Sequence, residues 1–386
     1  MKNIFEKFNP LIFLMILGAG GIAIIPFAFF QYVVEHGAGL VQMSEVGHGS
    51  LTLGKEILYR TLEGIMIFFS LTHLILTGIY SGKLIKWAKT KNFNEMLKNP
   101  LKNPSLLAPF ISYAMTMNVF IGPIRYFLPV MANNLQSLML PALIVWGIIW
   151  IWLMKFDIKL LKISFEENFD VNKISFGWLL HPFALSMVTV TGTGIAALST
   201  TASIAHIAAF MSLVSGTMGM FLLSVKLMAI FKSHFAADGL PEKQFLPSFL
   251  IVIPNITLYA ISAFRLGHYL EHHFAAHMGP YFTIVIALAF AFETWYLMFG
   301  LALLQKYLKN DFFKKEFYMS QWGFVCPMVA YAVLGSFMYK VFIPNFILYI
   351  VILFTMAVAI WLFFVLLGRQ MKCSGLKRNK NMECLE

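Results

Sequence analysis

The sequence predicts an all-α polytopic membrane protein: ten transmembrane helices arranged as five helical hairpins. Three observations predict it, namely the composition, the spacing of the apolar runs and the segregation of proline. Of 386 residues, 59% are apolar and 12% are charged, against roughly 45–50% and 25% in soluble domains. A bilayer span takes about 20 apolar residues, so the length suffices for about ten spans and leaves no room for a soluble catalytic domain. The chain reads as a single transmembrane domain over 1–386 with a short basic cytoplasmic tail at 369–386.

Apolar runs separated by charge clusters fall at 10–34, 56–82, 105–130, 136–154, 176–199, 203–229, 245–266, 280–305, 317–339 and 345–368. The first follows a short basic stretch and lacks a small-residue cleavage site, so it reads as a retained span and not a signal peptide. The segment after the second run carries Lys83, Lys86, Lys89, Lys91, Lys98 and Lys102. Cytoplasmic loops collect Lys and Arg. With that side cytoplasmic, only Lys55, Arg60, Arg125, Arg265 and Lys340 of the 29 Lys and Arg lie outside. Both termini are then cytoplasmic and the number of spans is even. The net charge of +11 follows mainly from topology, and no nucleic-acid partner is expected. Cys326 lies in an apolar run and Cys373 and Cys384 in the basic tail, with no disulfide framework or Cys–Cys metal spacing expected.

Loops leaving odd-numbered runs are mainly short, which pairs each odd run with the even run after it. Pro26, Pro109, Pro123, Pro182, Pro254 and Pro327 all lie in odd runs, whereas even runs keep proline only near an end, as at Pro141. Proline removes a helix hydrogen bond, and in hydrocarbon the freed carbonyl needs another helix or a wet cavity. The odd spans are therefore expected to be the inner set. Gly18, Gly20, Gly21, Gly122, Gly192, Gly194, Gly323 and Gly335 on the same spans fit either a pore or close helix packing.

The middles of the odd spans carry no acidic or basic side chain. They hold His181 near one end and hydroxyls at Ser112, Thr116, Ser186, Thr189, Thr191 and Thr193. Cation pathways usually place carboxylates inside the bundle, so a cation pump is disfavoured. Arg125, Arg265 and Lys340 stand where odd spans end, and helix N-termini converge at the other mouth, so both mouths would attract anions. The alternative for the three cations is anchoring at the headgroups.

Several stretches resemble the tellurite-resistance/dicarboxylate transporter family, which includes the slow anion channels of plants. Trp322-Gly323-Phe324-Val325-Cys326-Pro327-Met328 is similar to its ninth-helix motif, and Ile251–Pro254 with Ser262–Phe264 to its seventh-helix pattern. Leu180–Ala184 is similar to the fifth-helix proline region, and the glycine-rich Leu17–Ile22 to the first-helix start. The resemblance covers all ten spans. It implies odd helices lining a central pore and a protein that is often trimeric. It also implies small inorganic or carboxylate anions as cargo: C4-dicarboxylate, tellurite, sulfite, nitrate or chloride. The family's pore-blocking phenylalanine falls here at Cys326, so that gate is absent or has moved. Phe324 is two residues away, about 200° around a helix.

The expected constriction and pore residues are thus Phe324, Cys326, Pro327, Pro254, Pro182, Gly192 and Gly20, with Arg125, Arg265 and Lys340 at an anion-attracting mouth. A channel or transporter in the cell inner membrane is expected, with no covalent chemistry, cofactor or metal. The rival class is a membrane di-iron desaturase or hydroxylase. His268, Glu271, His272, His273 and His277 are similar to one of its histidine boxes, but the other histidines are scattered singly. A metal or pH-sensing site, or a solvated loop, is the further alternative there. Glu293, mid-span on an even helix, is a functional candidate by position or a polar contact with a neighbouring helix. His73 and His206 read as packing histidines, and Lys226 as a snorkelling one.

Overall fold

A computed structural model describes residues 8–170, 173–236, 239–314, 316–342 and 344–373, together with the backbone of 383–385. Ten of its helical segments are long and apolar enough to cross a membrane. Spans 1 to 5 are Pro10–Tyr32, Leu53–Trp87, Asn103–Phe127, Leu135–Glu166 and Phe176–Leu198. Spans 6 to 10 are Ala202–Phe235, Leu246–Phe274, Gly279–Asn310, Met319–Val341 and Phe346–Cys373. The architecture is all-α and polytopic, as the apolar runs predict.

Odd and even spans differ in burial as the prolines suggested. In the most apolar stretch of each odd span, 67% to 100% of residues are buried, against 17% to 39% in the even spans. The even helices turn Ile75, Ile148, Phe210, Leu288 and Phe354 outward, which suits lipid and not water. The odd spans pack in a closed cyclic order, 1–3–5–7–9–1. Span 2 packs on span 1, and spans 4 and 6 on span 5. Spans 8 and 10 pack on spans 7 and 9, respectively. The face where odd spans begin is called proximal below, and the face where they end distal.

Every odd span opens with a 3-10 turn: Pro10–Ile12, Asn103–Leu107, Phe176–Leu179, Leu246–Ile251 and Met319–Phe324. These five turns touch in the same cyclic order, forming a second ring at the proximal face. Pro109, Pro182, Pro254 and Pro327 follow immediately, within the first turn of each α-helix. The expectation of mid-span kinks is corrected at these four positions. A first-turn residue has no intrahelical acceptor for its N–H, so proline costs nothing there and its fixed φ starts the helix. Pro26 stays inside the helix of span 1, and Pro123 lies in a wide π-type turn at Phe120–Ile124.

Close approach explains several glycines. A Cβ at Gly21 would come within 2.9 Å of Val329, and one at Gly18 within 3.1 Å of Val325, so spans 1 and 9 meet backbone to side chain. Span 7 ends at Ala275 with φ of 52°, a left-handed cap that glycine adopts more readily. The basic tail is helical at its start, continuing span 10 to Cys373, while 374–382 and 386 lie outside the described residues. Glu383–Leu385 pairs in parallel with Glu316–Tyr318. Cys373 is disulfide-bonded, where no disulfide framework was expected, and Cys326 is free and buried.

Candidate functional site

All five odd spans contribute side chains to one cavity of about 730 Å³. At its proximal end, called the deep end below, the lining residues are Leu17, Phe183, Pro254 and Cys326, just beyond the 3-10 ring. Its rim at the distal face includes His36, His272, Gly279 and Lys340. Phenylalanine and aliphatic side chains dominate the wall, and no Asp or Glu lines it among the described residues. The polar groups along it are Asn118, Thr191, Thr257, Arg265, His268 and Thr283 and, toward the rim, Gln31 and Tyr32.

Of the residues expected at the constriction and the mouth, Cys326, Pro254, Arg265 and Lys340 line the cavity together. Phe324, Pro327, Pro182, Gly192, Gly20 and Arg125 are not among its lining residues, each for a visible reason. A Cβ on Gly192 would collide with Trp146 and Ser212, so this glycine seats span 5 between spans 4 and 6, and Trp146 Nε1 donates to Val188 O at 2.8 Å. Gly20 gives room to His73 and Met115. Pro182 and Pro327 are buried in packing at the starts of their helices, and the Pro182 carbonyl accepts from the Tyr259 hydroxyl at 3.0 Å. Phe324 belongs to the proximal 3-10 turn and packs on Tyr307 and Phe312. At the cavity's deep end the aromatic group is instead Phe183, the residue after Pro182 on span 5.

The two arginines separate. Arg125 is buried and committed: Nη2 donates to Val41 O at 2.6 Å and Nε to Ile121 O at 3.2 Å. It fastens the loop between spans 1 and 2, which Gln31 also holds through Gly39 O and Val41 N. Arg265 is partly exposed on the cavity wall, with Nη1 donating to Val190 O at 2.6 Å. Lys340 is solvent-exposed at the rim.

Buried polar groups behind the wall pair between helices. Thr116 bonds His73 Nε2 at 2.8 Å, and His73 Nδ1 donates to Ile16 O at 2.8 Å. Thr189 bonds Ser215 at 2.8 Å, and Thr191, which does line the cavity, accepts from Asn118 at 2.8 Å. The Glu293 carboxyl hydrogen-bonds Thr257 across spans 7 and 8, the interhelical contact weighed for it above. Asp157, beyond the end of the apolar run 136–154, is fully buried on span 4 against His181 at 2.5 Å. Lys226 is buried and reaches the 3-10 turn that opens span 5, its Nζ 3.4 Å from Trp178 O and 4.5 Å from the Trp178 ring centroid.

The histidine run does not converge. His268 bonds Glu271 at 2.9 Å, His272 bonds Ala197 O and His273 bonds Ser199 O, both at 3.1 Å. Among the described residues no group of three His, Cys, Asp or Glu is placed to hold a metal ion. His206, expected as a packing histidine, bonds the Tyr269 hydroxyl at 2.7 Å.

The family model described as voltage-dependent anion channel (SLAC1) matches residues 7–369. A comparison with curated proteins finds no match. The matched region spans all of the odd helices that close the ring and all of the even helices around them, and the chain belongs to the voltage-dependent anion channel family, whose members are membrane channels and transporters for anions.

Proposed function

We propose that small anions cross the membrane through the axis of the five odd spans, with no covalent step. One observation carries this reading: the five helices close a ring around a cavity that has no carboxylate among the described residues and does have Arg265 on its wall. Hydroxyls and amides such as Thr191, Thr257 and Asn118 bind an anion weakly, and weak binding permits both loading and exit. The constriction lies at the deep end, where Phe183 supplies the aromatic ring that the span 9 motif lacks at Cys326. Arg265 and Lys340 raise the local anion concentration at the distal side.

The distal face is external in this reading and both termini are cytoplasmic, in accord with the lysine-rich segments Lys83–Lys102 and Lys155–Lys162 on the proximal side. A cell inner membrane is the compartment, and C4-dicarboxylate, tellurite, sulfite, nitrate and chloride are the anions to assay. A homotrimer would form through the outward faces of even spans, leaving one axis per subunit. Reconstitution into liposomes loaded with each anion in turn, with membrane potential and pH varied, tests the reading. Protein-dependent anion flux supports it, and flux of potassium or sodium in its place overturns it.

A further inference from the structure

Arg265 is a guanidinium inside a membrane span with no carboxylate partner among the described residues. Its Nη1 is held by Val190 O at 2.6 Å, and Gly194 beside it leaves the space, since a Cβ there would lie 3.1 Å from Nη1. The phenol of Tyr32 is close enough to interact with it electrostatically, and His268 lies one turn further along the same helix. The rest of the donor fork is committed to no side chain among the described residues, in contrast to Arg125 with its two carbonyls. An ionised group in such a place is retained for a partner that arrives through a wet cavity.

The surroundings define that partner. Phe264 lies edge-on 5.1 Å from Phe337 and tilted 4.7 Å from Phe282, and Tyr32 lies 3.9 Å from Phe337, centroid to centroid. All four rings line the cavity beside Arg265. Spans 1 and 7 are not neighbours in the ring, so the Tyr32–Phe264 contact at 6.2 Å reaches across the axis past span 9. The cavity at this level therefore offers one fixed charge and an aromatic wall.

We propose that Arg265, Tyr32, Phe264, Phe337 and Phe282 form a binding site for an organic monoanion, a carboxylate carrying an aromatic or other apolar body. One guanidinium fork matches one carboxylate. The body then gains from burial against the rings. A second carboxylate on the same ligand would lie among apolar groups without a cation, which is unfavourable. Lys340, the other lysine or arginine on the wall, sits in solvent at the rim, and His268 and His272 are engaged by Glu271 and the Ala197 carbonyl. Chloride satisfies the charge and leaves the rings unused. The site deepens the reading of the cavity as the anion path and rests on it, and the volume of about 730 Å³ falls in the range of small-molecule sites.

Equilibrium binding of benzoate, phenylacetate, succinate and chloride to the full chain in nanodiscs tests this, alongside liposome flux of the same anions. Benzoate or phenylacetate should bind about tenfold or more tightly than succinate or chloride. Arg265→Gln should weaken it about tenfold or more, Arg265→Lys should retain part of it, and Phe264→Leu should weaken phenylacetate but not acetate. Melting curves show which variants fold. Succinate or chloride binding as tightly as benzoate overturns the ligand class, and benzoate binding unchanged in Arg265→Gln overturns the site. Absence of benzoate binding in protein that still conducts anions overturns this inference alone. Arg265-dependent benzoate binding without flux of any anion supports the site and overturns the transport reading.

Discussion

Arg265 and Arg125 look equivalent in sequence, each on an odd span near its distal end, and the structure predicts that their removal has different consequences. An anion about 6 Å from the Arg265 guanidinium, at an effective permittivity of about 20, is stabilised by roughly 2.8 kcal/mol, or about a hundredfold in occupancy. Arg265→Gln should therefore lower flux by one to two orders of magnitude at low salt. The deficit should shrink as ionic strength rises and the Debye length falls from about 30 Å at 0.01 M to about 3 Å at 1 M. Arg125 spends its donors on Val41 O and Ile121 O. Arg125→Gln orphans a buried carbonyl, at a cost of about 1–3 kcal/mol, and loosens the loop between spans 1 and 2. Its signature is a lower melting temperature with little salt dependence of the remaining flux. Proteoliposome flux of both variants across a salt series, normalised to folded protein, separates the two. Identical salt dependence in the two variants would refute the assignment.

Cys326→Phe adds a second ring opposite Phe183 at the deep end of the cavity, and flux should fall at least tenfold, whereas Phe183→Ala should raise it; unaltered flux in both places the constriction elsewhere. Gly192→Leu drives a side chain into Trp146 and Ser212 and should cost more than about 3 kcal/mol by overpacking, read as loss of the folded monodisperse protein, while the same change at Gly64, where a Cβ meets nothing, is tolerated. Ala275→Gly should raise thermal stability by about 1 kcal/mol, because glycine reaches the left-handed cap without the side-chain penalty. Lys243 and Lys314, at 2.8 and 3.1 Å, hold the Asp311 carboxyl below the usual carboxylate range. A carboxyl lowered by folding contributes above its unfolded value and loses that contribution as pH falls through the lowered one. Hydrogen-exchange protection across 242–246, corrected for the intrinsic exchange rate at each pH, should fall on acidification and be low and pH-independent in Asp311→Asn.

Much of this fold is legible in the sequence because bilayer physics writes it in long strokes. Length, hydropathy and lysine placement give the ten spans, and proline placement separates inner from outer helices. The reason for that separation was different from the one expected. Four of the prolines start helices where the chain turns from a 3-10 ring into the wall, and carbonyls freed midway are confined to Pro26 and Pro123. Asp157 was lost for a related reason: a run of charge at Lys155–Lys162 reads as a loop, but the helix of span 4 continues to Glu166 and turns that one carboxylate inward to His181.

The site was less legible. Hydropathy says which helices are inner and nothing of which residues on them face the axis, because the inner helices are buried all round. Thr116, Thr189 and Thr191 are alike in sequence, yet the first two bond His73 and Ser215 in helix contacts and only Thr191 reaches the cavity. Gly192 and Gly20 serve packing for the same reason. Phe183, Asn118, Tyr32 and Phe264 needed the helix rotations to be found. The one available signal was Gln31-Tyr32, a polar pair ending an otherwise apolar helix.

The central claim is that the carboxylate-free space inside the five-helix ring is the route that anions take. The most direct measurement is modification of Thr191→Cys by a membrane-impermeant, negatively charged methanethiosulfonate, in a Cys326→Ser background, with flux followed in the same vesicles. The account predicts rapid labelling, protection by transported anion and loss of most of the flux, with Ile148→Cys on the outer face of span 4 unreactive toward the same reagent. Anion flux that survives complete labelling of Thr191→Cys, or labelling of Ile148→Cys that blocks it, would contradict the account.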